Sequence, residues 1–182
     1  PDCQTPALKN VTLEIAAGER VGVIGKVGSG KTTLVNALLK IYPVDGGQVF
    51  IDGRDITACR SEDVRNAVAY APQDNFLFSD TIAGNIAFGA DGCSDEKVRQ
   101  AAEFACLDGD IQGFRDGYQT VCGERGVTLS GGQKQRVSIA RAYIKDAPVL
   151  ILDDSVSAVD MKTEEAILSA IERERRGKTT II

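Results

Sequence analysis

The chain has 182 residues, 43% hydrophobic and 26% charged, with a net charge of −5 and a pI of about 4.9. That length fits one domain able to bury roughly 70% of its unfolded surface without staples, and the acidic balance argues against nucleic acid as a partner. There is no histidine, which excludes a Ser-His-Asp triad, a Cys-His pair and a His-ligated metal, and the five cysteines lack a CxxC pair and read as reduced residues of a cytosolic protein.

"VTLEI" (11–15) alternates apolar and polar residues as a half-buried strand does. "AAGER" turns the chain into "RVGVIG" (20–25), a second strand that runs into a Gly-rich loop. "KTTLVNALLKIY" (31–42) has helical apolar spacing, and "GGQVFIDGRDI" predicts a strand with an Asp52-Gly53 hairpin turn. "NAVAYAPQD" is a short strand stopped by Pro72. Helices are predicted over 81–88 and 94–107, the second capped by Ser94 with two acids in its first turn. "GGQKQRVSIARAYIKD" (131–146) is a long helix, and "PVLILD" (148–153) is apolar throughout, as a central parallel strand should be. An amphipathic helix (161–176) and the start of a further strand (178–182) complete the chain. Strand–loop–helix order at both ends, with helices between, predicts an α/β core carrying a helical insertion. No apolar run approaches the ~20 residues of a membrane span.

"GKVGSGKT" (25–32) matches G-x-x-x-x-G-K-[ST] between a strand and a helix, the context this phosphate loop requires. The backbone N–H groups of Gly25, Val27, Gly28, Ser29 and Gly30, with the positive end of the helix, would cradle the phosphates of a nucleotide. Lys31 should reach the β- and γ-phosphates, Thr32 should sit on Mg²⁺, and Thr33 should bond the α-phosphate. In "VLILDD", Asp153 ends a buried strand, the usual place of the acid that holds Mg²⁺ through water.

A P-loop alone could belong to a kinase, a GTPase or a motor. "LSGGQKQR" (129–136) narrows the choice, together with "SAVD" (157–160), "YAPQD" (70–74) and "TVCGERG" (120–126). These ordered motifs resemble the ATP-binding-cassette (ABC) family over essentially all 182 residues. The resemblance implies one domain, 1–182, with an α/β P-loop NTPase (RecA-like) core and an N-terminal antiparallel β portion, the core at 1–72 and 137–182 and a Q-loop and helical subdomain inserted at 73–136. It also implies a second cassette as partner, whose ATP would be clamped in trans by Ser130, Gly131, Gly132 and Gln133; locally, Ser130 and Gln133 also form a capping box. Gln73 would touch Mg²⁺ and the lytic water, and its loop would receive the transmembrane domains of an exporter. Asp160 in the D-loop and Glu124 and Arg125 in the X-loop would lie at interfaces; Cys122 stands where the family usually has Val. The expected location is the cytoplasmic face of the cell inner membrane. The family's base-stacking aromatic and switch histidine are expected to fall outside this chain.

Asp154 follows the Mg²⁺ acid at the position where the family usually has Glu. It keeps the charge but is one methylene shorter, about 1.5 Å of reach, and small misplacements of a catalytic base forfeit much of its effect. ATP binding should survive and hydrolysis at this site should be slow. "ILDDSVSAVD" and "DNFLFSDTIAGNIAFG" (74–89) resemble one half of heterodimeric multidrug-type exporters. Three readings stay open beside it: the first cassette of a single-chain multidrug-resistance-associated-type transporter, a non-transport ABC ATPase, and an ATP-binding scaffold without turnover. The acidic pI and the short span from Gln73 to Ser130 weigh against the non-transport ATPase.

Overall fold

The computed structural model describes residues 6–90, 92–123 and 128–182. A four-stranded parallel sheet runs in the order β1 (Arg20–Val21), β6 (Thr179–Ile181), β5 (Val149–Leu152), β4 (Val68–Ala71). Period-two alternation sends neighbouring residues to opposite faces. Val68 and Ile151 face one core with Ile181, Val35 and Leu39, whereas Ala69, Ala71, Leu150 and Leu152 face the other. The first core is closed by α1 (Lys31–Leu38). The second, larger core is closed by α6 (Gly131–Ile144) and α7 (Met161–Glu174). β5 is buried on both sides, so it reads as an unbroken apolar run.

The helical insertion holds α3 (Ile82–Ala87), α4 (Asp95–Phe104) and α5 (Asp108–Gln112). α3 and α4 both pack on α6, so α6 belongs to the sheet layer and to the insertion at once. Ser94 caps α4 by accepting a bond from Lys97 N, as its sequence predicts. The approach of α3 to α6 requires Gly89: an added β-carbon would overlap the Arg141 carbonyl oxygen and lie 2.9 Å from Ile144 Cγ2. Gly89→Ala is therefore expected to destabilise the fold by about 1–3 kcal/mol, as overpacking does. A denaturant midpoint unchanged from wild type would refute that.

The antiparallel portion is a hairpin, β2 (Phe50–Ile51) and β3 (Arg54–Asp55). Its central residues Asp52 and Gly53 have φ of 50° and 74°, the two positive values a type I′ turn demands. A helix the sequence reading missed, α2 (Ser61–Asn66), follows; at six residues it is too short for a clear apolar period.

Two expected strands are corrected. Residues 11–15 form no strand, and Val11 and Leu13 are about half exposed. Alternation marks residues able to line a sheet, but a strand also needs a partner edge, and among the described residues nothing pairs with this segment. In 20–25 only Arg20–Val21 is strand. Val23 N still donates to Ile182 O at 2.7 Å, after which the chain leaves the sheet and Ile24 is fully exposed.

Candidate functional site

The Gly-rich loop leaves the sheet beside β6 and re-enters the fold at α1. Ser29 N donates to Lys26 O at 3.0 Å, closing the turn. Gly28 and Gly30 have φ of 80° and 93°, and a β-carbon on Gly30 would come within 2.7 Å of the Ala7 carbonyl oxygen. Glycine is thus required at 30 by both conformation and space. Gly30 is the N-cap of α1, no side chain caps the helix, and its first turn carries no acid. The first N–H groups of α1 have no intrahelical partner, and with the helix dipole they favour an anion. Lys31 Nζ folds back to the Gly25 carbonyl oxygen at 2.7 Å. Thr32 and Thr33 follow on the same half-buried turn.

β5 delivers the acids. Asp153 is buried, its N–H donates to Ala71 O at 3.0 Å, and its Oδ2 accepts from the Tyr70 hydroxyl at 3.2 Å. Burial and the neighbouring Asp153 charge push the Tyr70 phenol well up, so it remains a proton donor to that carboxylate. Asp154 lies just outside with φ 52°, in the left-handed region that Asp tolerates better than most residues. Its Oδ2 accepts from Gln73 Nε2 at 3.2 Å. The geometry thus brings Gln73, Asp153 and Asp154 together at the ends of β4 and β5. Lys31, Asp153 and Asp154 line one cleft of about 1290 Å³, whereas Ser130–Gln133 do not line it. The Asp153 carboxylate and the Thr32 hydroxyl are oxygen donors of the kind Mg²⁺ takes, since that ion binds one or two carboxylates and completes its shell with phosphate and water.

Ser130 caps α6. Its Oγ accepts from Gln133 N at 3.2 Å, and its own N–H donates to Gln133 Oε1 at 2.9 Å, so the expected capping box is present. Among the described residues nothing accepts from the Ser130 hydroxyl or from the N–H groups of Gly131 and Gly132, and none lies within 4 Å of where a Gly131 β-carbon would be. The Gln133 carboxamide, expected to serve a partner's ATP, is engaged within its own chain, because its Nε2 also donates to Asp110 Oδ1 at 2.9 Å. Asp160 caps α7 by accepting from Thr163 Oγ1 at 2.7 Å and Thr163 N at 3.1 Å, and these bonds hold its carboxyl below the ordinary range. Glu124 and Arg125 lie outside the described residues.

Some functional neighbours were assigned no role by the sequence. Gln135 is buried; its Oε1 accepts from Ala158 N at 2.9 Å and its Nε2 donates to Asp154 O at 3.4 Å. A β-carbon on Gly132 would sit 2.9 Å from the Ala158 carbonyl oxygen. The start of α6 therefore braces the loop that follows Asp154. A polar residue on the apolar face of α6 was the one signal for Gln135. The segment after Gln73 is held by fully buried Asn85, whose Oδ1 accepts from Phe78 N and whose Nδ2 donates to Phe78 O and Thr81 O. Arg141 donates to Asn85 Oδ1 and Phe76 O and lies over the rings of Phe78 and Phe88. Leu77 is fully buried, but Phe76, Phe78 and Phe88 form an exposed aromatic cluster.

A parallel sheet with a P-loop leading into α1 and a buried acid ending β5 defines a P-loop NTPase. The comparison with known proteins is narrower: residues 8–157 match the family described as ABC transporter, and the chain belongs to that family. It is 44% identical over 178 residues to the ATP-dependent lipid A-core flippase of Syntrophus aciditrophicus, covering 98% of this chain and 30% of that protein. It is 45% identical over 175 residues to the Beta-(1-->2)glucan export ATP-binding/permease protein NdvA of Rhizobium etli, covering 96% and 30%. A solved structure of a bacterial Atm1-family ABC exporter with ATP bound superposes with a TM-score of 0.95 at 42% identity, covering 99% of this chain and 32% of that one. The chain thus spans about a third of the length of the relatives it matches. It is an ATP-binding cassette, homologous to the cassettes of exporter-type members of that family. Among the described residues no helix is long and apolar enough to cross a membrane.

Proposed function

We propose that this cassette binds ATP with Mg²⁺, pairs with a second and different cassette, and powers export through transmembrane domains at the cytoplasmic face of a membrane, with its own site slow. The exporter names of the matched proteins support the export reading, and their different cargoes leave the transported substrate to segments outside the cassette. Lys31 and the N–H groups at the start of α1 bind the phosphates, and Thr32 and Asp153 would hold Mg²⁺. The ion would supply positive charge against the β- and γ-oxygens when bound. Gln73 and Asp154 orient the attacking water, and Ser130, Gly131 and Gly132 complete the partner's site. The aromatic cluster at Phe76, Phe78 and Phe88 suits a helix of the transmembrane domains. The proposed lobes stay at 1–72 with 137–182 and at 73–136, with α6 bridging them.

The observation that carries the slow-site reading is Asp154 itself: an exposed carboxylate, shorter than the usual Glu, on a left-handed backbone and tied to Gln73. The test is steady-state ATPase of the full assembly. Asp154→Asn keeps the backbone preference and removes the charge, and it should leave turnover within about twofold, because the competent site is completed by Ser130 in trans. Asp154→Glu should raise turnover only where the partner supplies a working signature. A loss of ten-fold or more in Asp154→Asn would make Asp154 the working base and overturn the assignment.

A further inference from the structure

The polar contacts at the start of α6 converge on a residue outside the phosphate loop, the signature and the other motifs. Asp110, in the first turn of α5, accepts from Gln133 Nε2 at 2.9 Å through Oδ1 and from Arg136 Nη1 at 2.6 Å through Oδ2. Arg136 Nη1 also donates to Cys106 O at 2.6 Å, and its Nε reaches Gly132 O at 3.4 Å. The pair is largely sheltered, with the Arg136 side chain 12% exposed. Burial alone would raise the Asp110 pKa, but the bonds from Arg136 and Gln133 outweigh it and hold the carboxyl below its ordinary value.

The orientation of Gln133 follows from these partners. Its Oε1 accepts from the Ser130 N–H. Rotated by half a turn, the amide would face one N–H donor with another and set its oxygen against the Asp110 carboxylate, which has only acceptors when ionised. Asp110 therefore excludes the flipped amide. With Gln133 fixed, Ser130 N–H is satisfied within the chain, and Ser130 Oγ is engaged as an acceptor by Gln133 N. Among the described residues, the donors left without an acceptor at this helix start are the Ser130 hydroxyl and the N–H groups of the two following glycines.

We propose that Asp110 is a positioning residue for ATP hydrolysis: it orients Gln133, which holds Ser130 at the start of α6 in the geometry that completes the partner's ATP site. This rests on the proposed trans role of Ser130. The residue acts on where donors point, so it should move turnover and leave nucleotide binding at this chain's own P-loop alone.

The test uses the full-length assembled transporter, with steady-state ATPase, ATP affinity by calorimetry and the thermal midpoint measured together. Asp110→Ala should lower kcat on the order of ten-fold and leave KM and ATP affinity within about two-fold. Asp110→Asn, which keeps an oxygen acceptor for Gln133 Nε2, should recover most of that loss while still losing the charge pair with Arg136. In a Gln133→Ala background, Asp110→Ala should add less than about two-fold, since both changes remove the same interaction. If Asp110→Ala lowers the midpoint but leaves kcat intact, the residue is a structural ion pair and the proposal fails. It fails equally if Asp110→Asn is as slow as Asp110→Ala. Failure of the underlying reading is separate, because Ser130→Arg would then leave turnover intact.

Discussion

Ser130→Arg is expected to stop most ATP hydrolysis by the assembled pair while leaving ATP bound at this chain's own P-loop. Ser130 stands at the N-terminus of a 14-residue helix, where exposed N–H groups and the helix dipole present positive potential to an anion. Donors preset for charge that develops in the transition state are worth on the order of 10²–10³ in rate. Arg fills the open space beside Gly131 and removes the hydroxyl, so the partner's γ-phosphate cannot seat. It also removes the N-cap, which costs about 1 kcal/mol, so a second variant is needed to separate fold from function. Ser130→Asp keeps a good cap and sets a negative charge against the phosphate. Both variants should lose turnover, and only Ser130→Arg should lose thermal stability. If Ser130→Arg left turnover intact while Asp154→Asn abolished it, the competent and slow sites would be reversed. In a homodimer both substitutions would be severe, which separates that arrangement as well.

The second large effect lies at Lys31. Its ammonium bonds the Gly25 carbonyl on the P-loop, and Lys31 lines the same cleft as Asp153 and Asp154. With nucleotide present the same group would exchange that carbonyl for phosphate oxygens of full negative charge, and charge-assisted bonds are roughly twice as strong as neutral ones. Two such bonds at about 1.5–3 kcal/mol each predict that Lys31→Ala lowers ATP affinity by on the order of 100-fold or more. The lost bond to Gly25 is exposed and single, so the thermal midpoint should barely move. Calorimetric titration of ATP and Mg²⁺ into the variant measures this, and wild-type affinity would sink the P-loop assignment.

These two predictions differ in how much of their basis the sequence carries. The phosphate loop is legible because its requirements are local: Gly28 and Gly30 need positive φ, Lys31 follows at once, and the helix begins there. β5 is legible because burial on both faces leaves only apolar residues, and the change to Asp153 marks its end. The capping box at Ser130 and Gln133 and the hairpin turn at Asp52 and Gly53 span four residues or fewer, and both are present as their sequences predict.

What the sequence could not decide depends on residues far apart in the chain. The strand expected at 11–15 had the right alternation, but pairing is a property of two segments, and among the described residues this one has no partner. Gln73 meets Asp154 across 81 positions, Tyr70 meets Asp153 across 83, and Asn85 meets Arg141 across 56. No periodicity records such meetings. Asp110 and Gln135 look like ordinary polar residues until α5 and the loop after Asp154 are packed against α6, where each carboxylate or amide must find a partner because burial makes an unpaired one costly. The sequence by itself determined the chemistry, a P-loop, an acid pair and a helix start able to hold phosphate. Only the tertiary structure decided which side chains orient those groups, because the partners of buried polar atoms are chosen by packing between distant elements and not by neighbours in the chain.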